Sequence, residues 1–375
     1  MDNILHSIAR LYKRHNSFSL FSESYNYALN FLKDHPQPQL TQGEKHDIDD
    51  YWGTYNIHYK DYSWFQMYYG VTGIHDPRFI PNPIAGYILY PYYNDKSMIS
   101  GWDDKNLYQE LVPHVHFPSA LCHCIRGRLY DSDWHYYAKD ENNILKLSEK
   151  IFQELDNHEI IFKSTRSTAA GKGVKKLIIK SPYDIKDTII QTNCDNYVIQ
   201  KKVTQHPFFS QFNESSVNII RIVSWQHNGE IKTFPASIRY GINGICTDVA
   251  FNDGKEILNV VGMTDEGKIN NNFVNLDGKM SPSCNIDIVT CPAYNSMIES
   301  IIDAHSHIFP FEVIGWDFTI DNNNNPICIE YNIVWPGTII YQYANGPFAD
   351  KYTDDFLFPL KLRENKELIK LFHLS

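Results

Sequence analysis

Residues 311–333 read FEVIGWDFTIDNNNNPICIEYNI, and the placement of their few acidic residues decides how this chain is built. Two apolar, partly β-branched runs flank an asparagine-rich stretch that holds nothing able to pack, which predicts a hairpin. Side chains alternate faces along a strand, so Glu330 and Asn332 share one face and Tyr331 takes the other. Closing the hairpin brings Asp317 across from them. Charges that merely keep an exposed hairpin soluble are one reading. The strands are otherwise apolar, however, and a carboxylate embedded in a buried strand needs a partner. Two carboxylates and an amide oxygen on one face form an oxygen cage suited to Mg2+.

Mg2+ held by few carboxylates completes its shell with phosphate and water. A nucleotide is the companion this implies, and phosphate requires cations and backbone N–H donors. Residues 164–177, STRSTAAGKGVKKL, supply both. They match neither G-x-x-x-x-G-K-[ST] nor G-x-G-x-x-G. Gly171 and Gly173 free the backbone, while Lys163, Lys172 and Lys175 bring charge. Lys105, Arg221 and Arg239 lie in the same broad stretch of chain. Lys163 closes the run "IIF" and Arg221 interrupts "NIIRIV", positions where a solvated surface cation is out of place.

Working outward, residues 1–33 carry apolar residues at helical spacing, and "PQPQLTQGE" breaks the pattern. Residues 51–93 are dense in Tyr, Trp and Phe with Pro and Gly interspersed, which predicts an irregular, packed segment. "DDKNLYQELVPH" reads as a short helix capped by Asp103 or Asp104. "SALCHCIRGRLYD" reads as a strand pair, and "NNILKLSEKIFQELDNH" as an amphipathic helix. "EIIFKS", "VKKLIIK" and "NYVIQKKV" read as strands, with a short helix at "TIIQTN". "SVNIIRIVSWQHNGEIKTFPASIRYGI" reads as strands turning at "HNGE". "CPAYNSMIESIIDAHSHI" and the terminal "DDFLFPLKLRENKELIKLFHL" read as helices. Hairpins and helices at intervals predict an α+β, layered α/β fold.

The bulk properties narrow the function. The 375 residues are 43% apolar and 21% charged, with net charge −10. That composition is globular and disfavours nucleic acid as a partner. The opening lacks the basic start and long apolar core of a signal peptide, and no apolar run reaches 18 residues, so no membrane span is expected. The seven cysteines (122, 124, 194, 246, 284, 291, 328) are scattered and expected to be reduced, as in a cytoplasmic protein. In "HVHFPSALCHC" a zinc site would need cysteines spaced more widely than Cys122 and Cys124. These two share a strand face and are expected to be core thiols.

The order of these features resembles the ATP-grasp superfamily: Asp104-Lys105, then Lys163 before a glycine-bearing loop, then the hinge-like "NYVIQKKVTQHP", then Asp317 and Glu330-Tyr331-Asn332. Within it, "DDKN", "QKKVTQHPFFSQFNESSVNIIRI", "SIRYG" and "VIGWDFTIDNNNNPICIEYNIVWPG" look most like the sugar-transfer-associated group, and the likeness extends upstream through residues 51–81. The loop has Thr168-Ala169-Ala170 where relatives carry more glycines, and Asp248-Val249 and Asp253-Gly254 stand where relatives have Asp-Asn and Gly-Gly.

The resemblance implies two lobes sandwiching ATP behind a helical, aromatic-rich N-terminal region. The corresponding spans are 1–60 (helical), 61–130 (a preceding lobe), 131–205 (the lobe with the glycine loop), 206–350 (the lobe with the metal hairpin) and 351–375 (a terminal helix). It implies that Gln200, Lys201, Lys202 and Val203 meet adenine through their backbone, that Gln205 or His206 meets the ribose, and that Lys105 and Lys163 meet the phosphates. The loop with Gly171, Lys172 and Gly173 would close over them, with Mg2+ on Asp317, Glu330 and Asn332. Arg221 and Arg239 would grip a carboxylate or phosphoryl group. The implied reaction is ATP- and Mg2+-dependent ligation of a small carboxylate to an amine through an acyl phosphate, with an amino acid and a sugar acid or other carboxylate as the implied pair. The same cage and loop serve a phosphotransferase equally well, and the aromatic segment leaves room for a non-catalytic glycan- or protein-binding module.

Overall fold

The computed structural model describes residues 24, 26–166, 171, 173–242, 244–253, 255–279 and 286–362. The chain divides into two compact units. One comprises residues 1–94, 277–280 and 337–375; the other comprises 95–276 and 281–336.

The named elements of the first unit are all helices. Residues 26–34 are helical, in line with the sequence, while the expectation for the segment before them lies outside the described residues. The helix Gln42–Gly53 was missed, although its start is written plainly. Thr41 accepts the Glu44 N–H, and the Glu44 carboxylate accepts from the Thr41 backbone, a reciprocal capping box. The aromatic segment is more regular than expected. Ser63–Thr72 is a helix that buries Trp64, Phe65, Tyr68 and Tyr69, positions one and four residues apart on a helical face. Tyr68 stacks on Phe79 at 4.8 Å. Residues 82–93 continue as a helix with a wide π turn at Ala85–Leu89. That turn comes just before Pro91, whose missing N–H already interrupts the helical ladder. The terminal segment is two 3-10 turns, Asp350–Tyr352 and Phe358–Lys361, around the short helix Thr353–Phe356. Pro359 ends the continuous helix the sequence suggested, and the remainder of that expectation lies outside the described residues.

The second unit holds two antiparallel sheets. The first has six strands: β1 (Ala120–Ile125), β2 (Arg128–Asp131), β3 (Tyr136–Tyr137), β4 (Glu159–Ser164), β5 (Val174–Ile178) and β6 (Asn196–Lys201), in the order β3-β2-β1-β6-β4-β5. The helices Glu141–Gln153 and Pro182–Gln191 cover one face. Ile144, Leu147, Ile151, Ile185 and Ile189 pack there against Cys122, Cys124, Phe162, Tyr197 and Ile199. Both cysteines are therefore core thiols, and the six described cysteines are all unpaired.

The second sheet contains β7 (Ile219–His227), β8 (Glu230–Thr233), β9 (Ser237–Tyr240), β10 (Val249–Asn252), β11 (Lys255–Met263), β12 (Ile269–Asn275), β13 (Val313–Ile320) and β14 (Pro326–Asn332), ordered β10-β11-β9-β7-β13-β14 with β12 on β11 and β8 on β7. Its core face packs Ile220, Ile222, Trp316, Phe318 and Tyr331 against the helix Tyr294–His305. The opposite faces of the two sheets, left free by these cores, carry the polar groups described next.

The motif "DDKN" differs from its reading as a helix cap. The helix there is only Tyr108–Leu111, with no side-chain cap. Asp104 is completely buried. It accepts from the Asn106 backbone N–H and from Arg166 Nε at 2.7 Å. Asn106 Nδ2 in turn reaches the Cys124 carbonyl and Thr165 Oγ1. This polar knot joins the segment before β1 to the end of β4 and leaves Lys105 directed elsewhere.

Candidate functional site

The quoted hairpin forms as β13 and β14, with Asp317 directly opposite Glu330 and Gly315 opposite Asn332. The ladder slips by one residue at this point, so that Phe318 pairs with Cys328 and Ile329 is extra. Without that bulge, Cys328 and Glu330 would share a face. With it, Cys328 and Tyr331 enter the core while Glu330 joins Asp317 beside a cavity of about 320 Å³.

The cavity lies between the two sheets. Ile161 and Lys163 of β4, Val174 and Lys176 of β5 and Gln200 of β6 form one wall, and Asp317 and Glu330 stand on the other. Strand alternation explains the first wall. Ile160, Phe162 and Ile199 go to the core, so their neighbours in sequence must face the cavity. The same rule corrects one expectation. Lys175 pairs with the core residue Phe162, whereas Lys176, opposite Ile161, is the β5 lysine on the cavity side. Lys105 lines the cavity, and its Nζ lies 3.6 Å from Glu330 Oε2.

The electrostatics are coupled. Burial pushes the Glu330 carboxyl up, but Lys105, Lys163, Arg221 and Arg239 together hold it below the ordinary carboxylate range. Burial lowers the Lys163 ammonium to about 8, against the opposing pull of Glu330.

The two arginines are placed differently from the sequence expectation. Arg221 Nε and Nη2 both hold Asp317, the latter at 2.7 Å, and Nη1 donates to the Pro336 carbonyl at 2.7 Å. Arg239 Nη2 lies 2.8 Å from Asp248 Oδ2. Neither arginine lines the cavity, whereas Asp317 and Asp248 do. In each pair the guanidinium is committed to a carboxylate, and the carboxylate is what the cavity meets. Arg221 is therefore positioned to orient Asp317 rather than to grip a substrate directly.

Asn332 Nδ2 donates to Asp317 Oδ2 at 3.2 Å. This directs the amide nitrogen at Asp317 and leaves the amide oxygen as a further hard donor beside the two carboxylates.

At the hinge, Lys201 and Lys202 place their ammonium groups on Asp156 (3.4 Å) and Glu159 (2.6 Å). They and Val203 still line the cavity. Gln200 Nε2 donates to the Pro118 carbonyl at 3.2 Å. Its Oε1 is buried without a hydrogen-bond partner, a costly state that a ligand N–H would relieve.

His206 does not reach the cavity. It precedes Pro207 and accepts the Phe208 N–H on Nδ1, capping the short helix Pro207–Ser210. Gln205 lines the cavity, but its amide serves Ser216 O and the Asn218 N–H.

Gly171 lines the cavity at φ +72°, and a Cβ there would meet Thr247 at 3.0 Å. Both constraints favour glycine at this position. Gly173 also has positive φ, and its carbonyl accepts the Ser164 N–H. Lys172 lies outside the described residues. Sequence reasoning did not select Lys176, Glu214 or Asp248 as site residues, although each lines the cavity. Only Asp248 left a trace, as the departure after "SIRYG".

Residues 87–354 match the family described as sugar-transfer associated ATP-grasp. The chain belongs to that family. Comparison with curated proteins gives no match. Among solved structures, the chain is similar to the ATP-grasp ligase PsnB complexed with a minimal precursor (11% identity, TM-score 0.40, 71% of this chain and 64% of that one). It is also similar to D-alanyl-alanine synthetase A from Vibrio cholerae (11%, 0.38, 68% and 62%). A third is N5-carboxyaminoimidazole synthetase from Staphylococcus aureus complexed with ADP (12%, 0.39, 69% and 53%). The chain thus spans less than two thirds of the length of each of these structures. Within this ATP-grasp chain, the two sheets of the second unit are the pair that brackets the cavity.

Proposed function

We propose that the protein is an ATP- and Mg2+-dependent ligase that joins a carboxylate to an amine through an acyl phosphate. One observation carries this reading: two carboxylates on one cavity wall, Asp317 and Glu330, with Asn332 hydrogen-bonded to Asp317 behind them, face a lysine-bearing wall with an unpartnered buried acceptor, Gln200 Oε1.

These residues suit the groups the family implies. Asp317, Glu330 and Asn332 are hard oxygen donors and would hold Mg2+, which supplies charge neutralisation at a transferring phosphoryl group. Gln200 Oε1 would accept from an exocyclic amine, a donor that adenine has and guanine lacks at the same edge. Lys105 and Lys163 would balance phosphate charge. Arg221 fixes Asp317 in direction.

The proposed chemistry starts with a substrate carboxylate oxygen attacking the γ-phosphorus in line, with ADP leaving. An amine then attacks the acyl carbon, and phosphate leaves. The chain contributes position and compensating charge, and no side-chain nucleophile is required. Gly171 allows backbone to approach closely and helps exclude water from the activated acyl group.

The proposed pair is an amino acid and a sugar acid or another carboxylate, joined in polysaccharide or natural-product biosynthesis in the cytoplasm; the family's association with sugar transfer supports the sugar part of this reading. None of the described helices is long and apolar enough to cross a membrane. The test is incubation with ATP, Mg2+ and paired pools of carboxylates and amines. ADP formation that requires both pools supports ligation. A stable phosphorylated product without amine consumption would make the protein a phosphotransferase instead.

A further inference from the structure

Two of the cavity lysines stand beside a buried polar knot. Asp104, Asn106 and Thr165 are buried, Asp104 and Thr165 completely. The cavity is lined by Lys105 and Lys163, their close neighbours in sequence, but not by these three or by Arg166.

The carboxylate of Asp104 is held from two sides. Oδ2 accepts from Arg166 Nε at 2.7 Å, and Oδ1 accepts from the Asn106 backbone N–H at 3.1 Å and from Asn106 Nδ2 at 3.2 Å. Asn106 Nδ2 also lies 3.2 Å from Thr165 Oγ1 and from the Cys124 carbonyl, and its Oδ1 lies 3.1 Å from His123 Nδ1. Thr165 gives its N–H to the Asn196 carbonyl at 3.0 Å. The Leu107 N–H closes the turn on the Asp104 carbonyl. The turn 104–107 is thereby tied to β1, to the end of β4 and, through Thr165, to β6. A buried ion pair is weak evidence of stability, since apolar residues of similar volume often serve as well. The distinctive property of this one is its place between two lysines.

Lys105 leaves the knot toward the cavity. Its ammonium lies 5.9 Å from the centre of the Tyr108 ring and 3.6 Å from Glu330 Oε2. Lys163 stands on β4 two residues before Thr165. Burial, and after it the Lys105 charge, lower the Lys163 ammonium against the pull of Glu330. The two lysines therefore repel each other. A lysine stem is flexible, and ordering it costs conformational entropy. The contacts of Asp104 on Arg166 and of Asn106 on Thr165 hold the two stems at fixed origins against that repulsion.

We propose that Asp104 and Arg166 are positioning residues: with Asn106 and Thr165 they lock the turn that carries Lys105 to the end of β4 that carries Lys163, and so set the separation at which the two ammonium groups meet the phosphates of a nucleotide. This role rests on the reading of the cavity as an ATP site. Neither positioning residue touches the nucleotide. A separation set in advance reduces the ordering that binding would otherwise require.

The test uses the full chain and two readouts. Arg166→Met breaks the pair. Asp104→Asn combined with Arg166→Met removes it without leaving a buried charge, and serves if the single variant fails to fold by circular dichroism. The first readout is acetylation of the ligand-free protein by acetic anhydride, followed by peptide mass spectrometry. Lys105 should react about 3-fold faster or more in either variant, with the exposed Lys255 as reference. The second is MgATP binding by calorimetry. Either variant should raise Kd by about 10-fold, and in a Lys105→Met background the same change should add less than about 2-fold, because the effect passes through Lys105. If the wild type binds no MgATP, the nucleotide reading falls and this role falls with it. If the wild type binds MgATP, the positioning role alone is overturned by any of three results: unchanged Lys105 reactivity in the variants, unchanged Kd, or effects that simply add in the Lys105→Met background.

Discussion

The two walls of the cavity solve the problem of buried charge in opposite ways. On the β13–β14 wall, the carboxylate of Asp317 is matched before any ligand arrives: Arg221 holds it with two donors and Asn332 adds a third. On the β4–β6 wall, burial pulls Lys163 toward neutrality and Gln200 Oε1 has no partner. Asp317 is matched within its own wall, whereas Gln200 Oε1 is not. An internally paired wall holds its shape and can aim a cation. An unpaired wall stores unfavourable desolvation that a phosphate or a base edge would relieve.

The largest expected effect breaks the paired wall. Asp317→Asn leaves Arg221 buried without its counter-charge and should cost about 3–5 kcal/mol of stability, read by denaturant unfolding. Glu330→Gln, by contrast, removes a carboxylate held by one looser ion pair, Lys105 Nζ at 3.6 Å, so it should lose Mg2+-dependent ADP formation by about 100-fold or more while Tm changes less. Equal destabilisation by the two changes would erase the distinction between paired and unpaired groups.

Next comes the support behind that wall. His305 is buried, donates Nε2–H to the Phe311 carbonyl at 2.9 Å and accepts the Ser224 hydroxyl at 2.7 Å, which itself accepts from Trp316 of β13. Burial lowers its pKa to about 4. The unfolded chain therefore takes up a proton before the folded one does. Stability should be intact above about pH 6.5 and fall as pH drops toward 4, by on the order of 3 kcal/mol. His123, also lowered to about 4 by burial, adds to the same limb. His305→Gln should flatten part of this dependence in a Tm-versus-pH series, and an unchanged slope would assign it to His123 alone.

On the unpaired wall the sign reverses. Lys163→Met removes a poorly solvated cation and should raise the Tm of the ligand-free protein, while weakening ATP binding by about 10-fold or more. In the wild type, affinity for ATP should decline as pH rises through about 8, where Lys163 loses its proton. Lys163→Arg should remove that limb. Loss of stability in Lys163→Met would show that this wall is paired after all.

Gln200 carries the smallest expected effect. Gln200→Leu should cost about 0.5–1.5 kcal/mol in ATP affinity, with GTP affinity unaffected. Competition binding with both nucleotides measures it.

These contrasts also show what the sequence could reveal. The hairpin was legible because two carboxylates interrupt strands that are otherwise apolar, and the face shared by Asp317, Glu330 and Asn332 follows from a period of two. Lys163 was legible for the same reason. Arg221 was legible as buried, but its partner was not, because the pairing of β7 with β13 joins residues 96 positions apart. Asp248 was invisible as Arg239's partner because the two meet only across a fold of the sheet. His206 misled because a histidine before proline beside a hinge reads equally as a ligand group or a helix cap, and the local backbone chose the cap. The start of the Gln42–Gly53 helix is written in the Thr41 and Glu44 capping box, directly after a proline-bearing break that ends the preceding apolar pattern.

The extra residue at Ile329 sets a rule for chain length in this hairpin. The asparagine turn between β13 and β14 carries no core side chain and should tolerate insertions. Deleting Ile329 would restore a regular ladder with Cys328 still opposite Phe318 and Glu330 still opposite Asp317, so every later side chain of β14 would keep its face. Drawing the ladder straight with Ile329 kept in it would instead send Glu330 into the hydrophobic interior and turn Tyr331 to the cavity. Loss of Ile329 is therefore expected to be better tolerated than loss of any neighbour in β14, which would turn the residues beyond it to the wrong face.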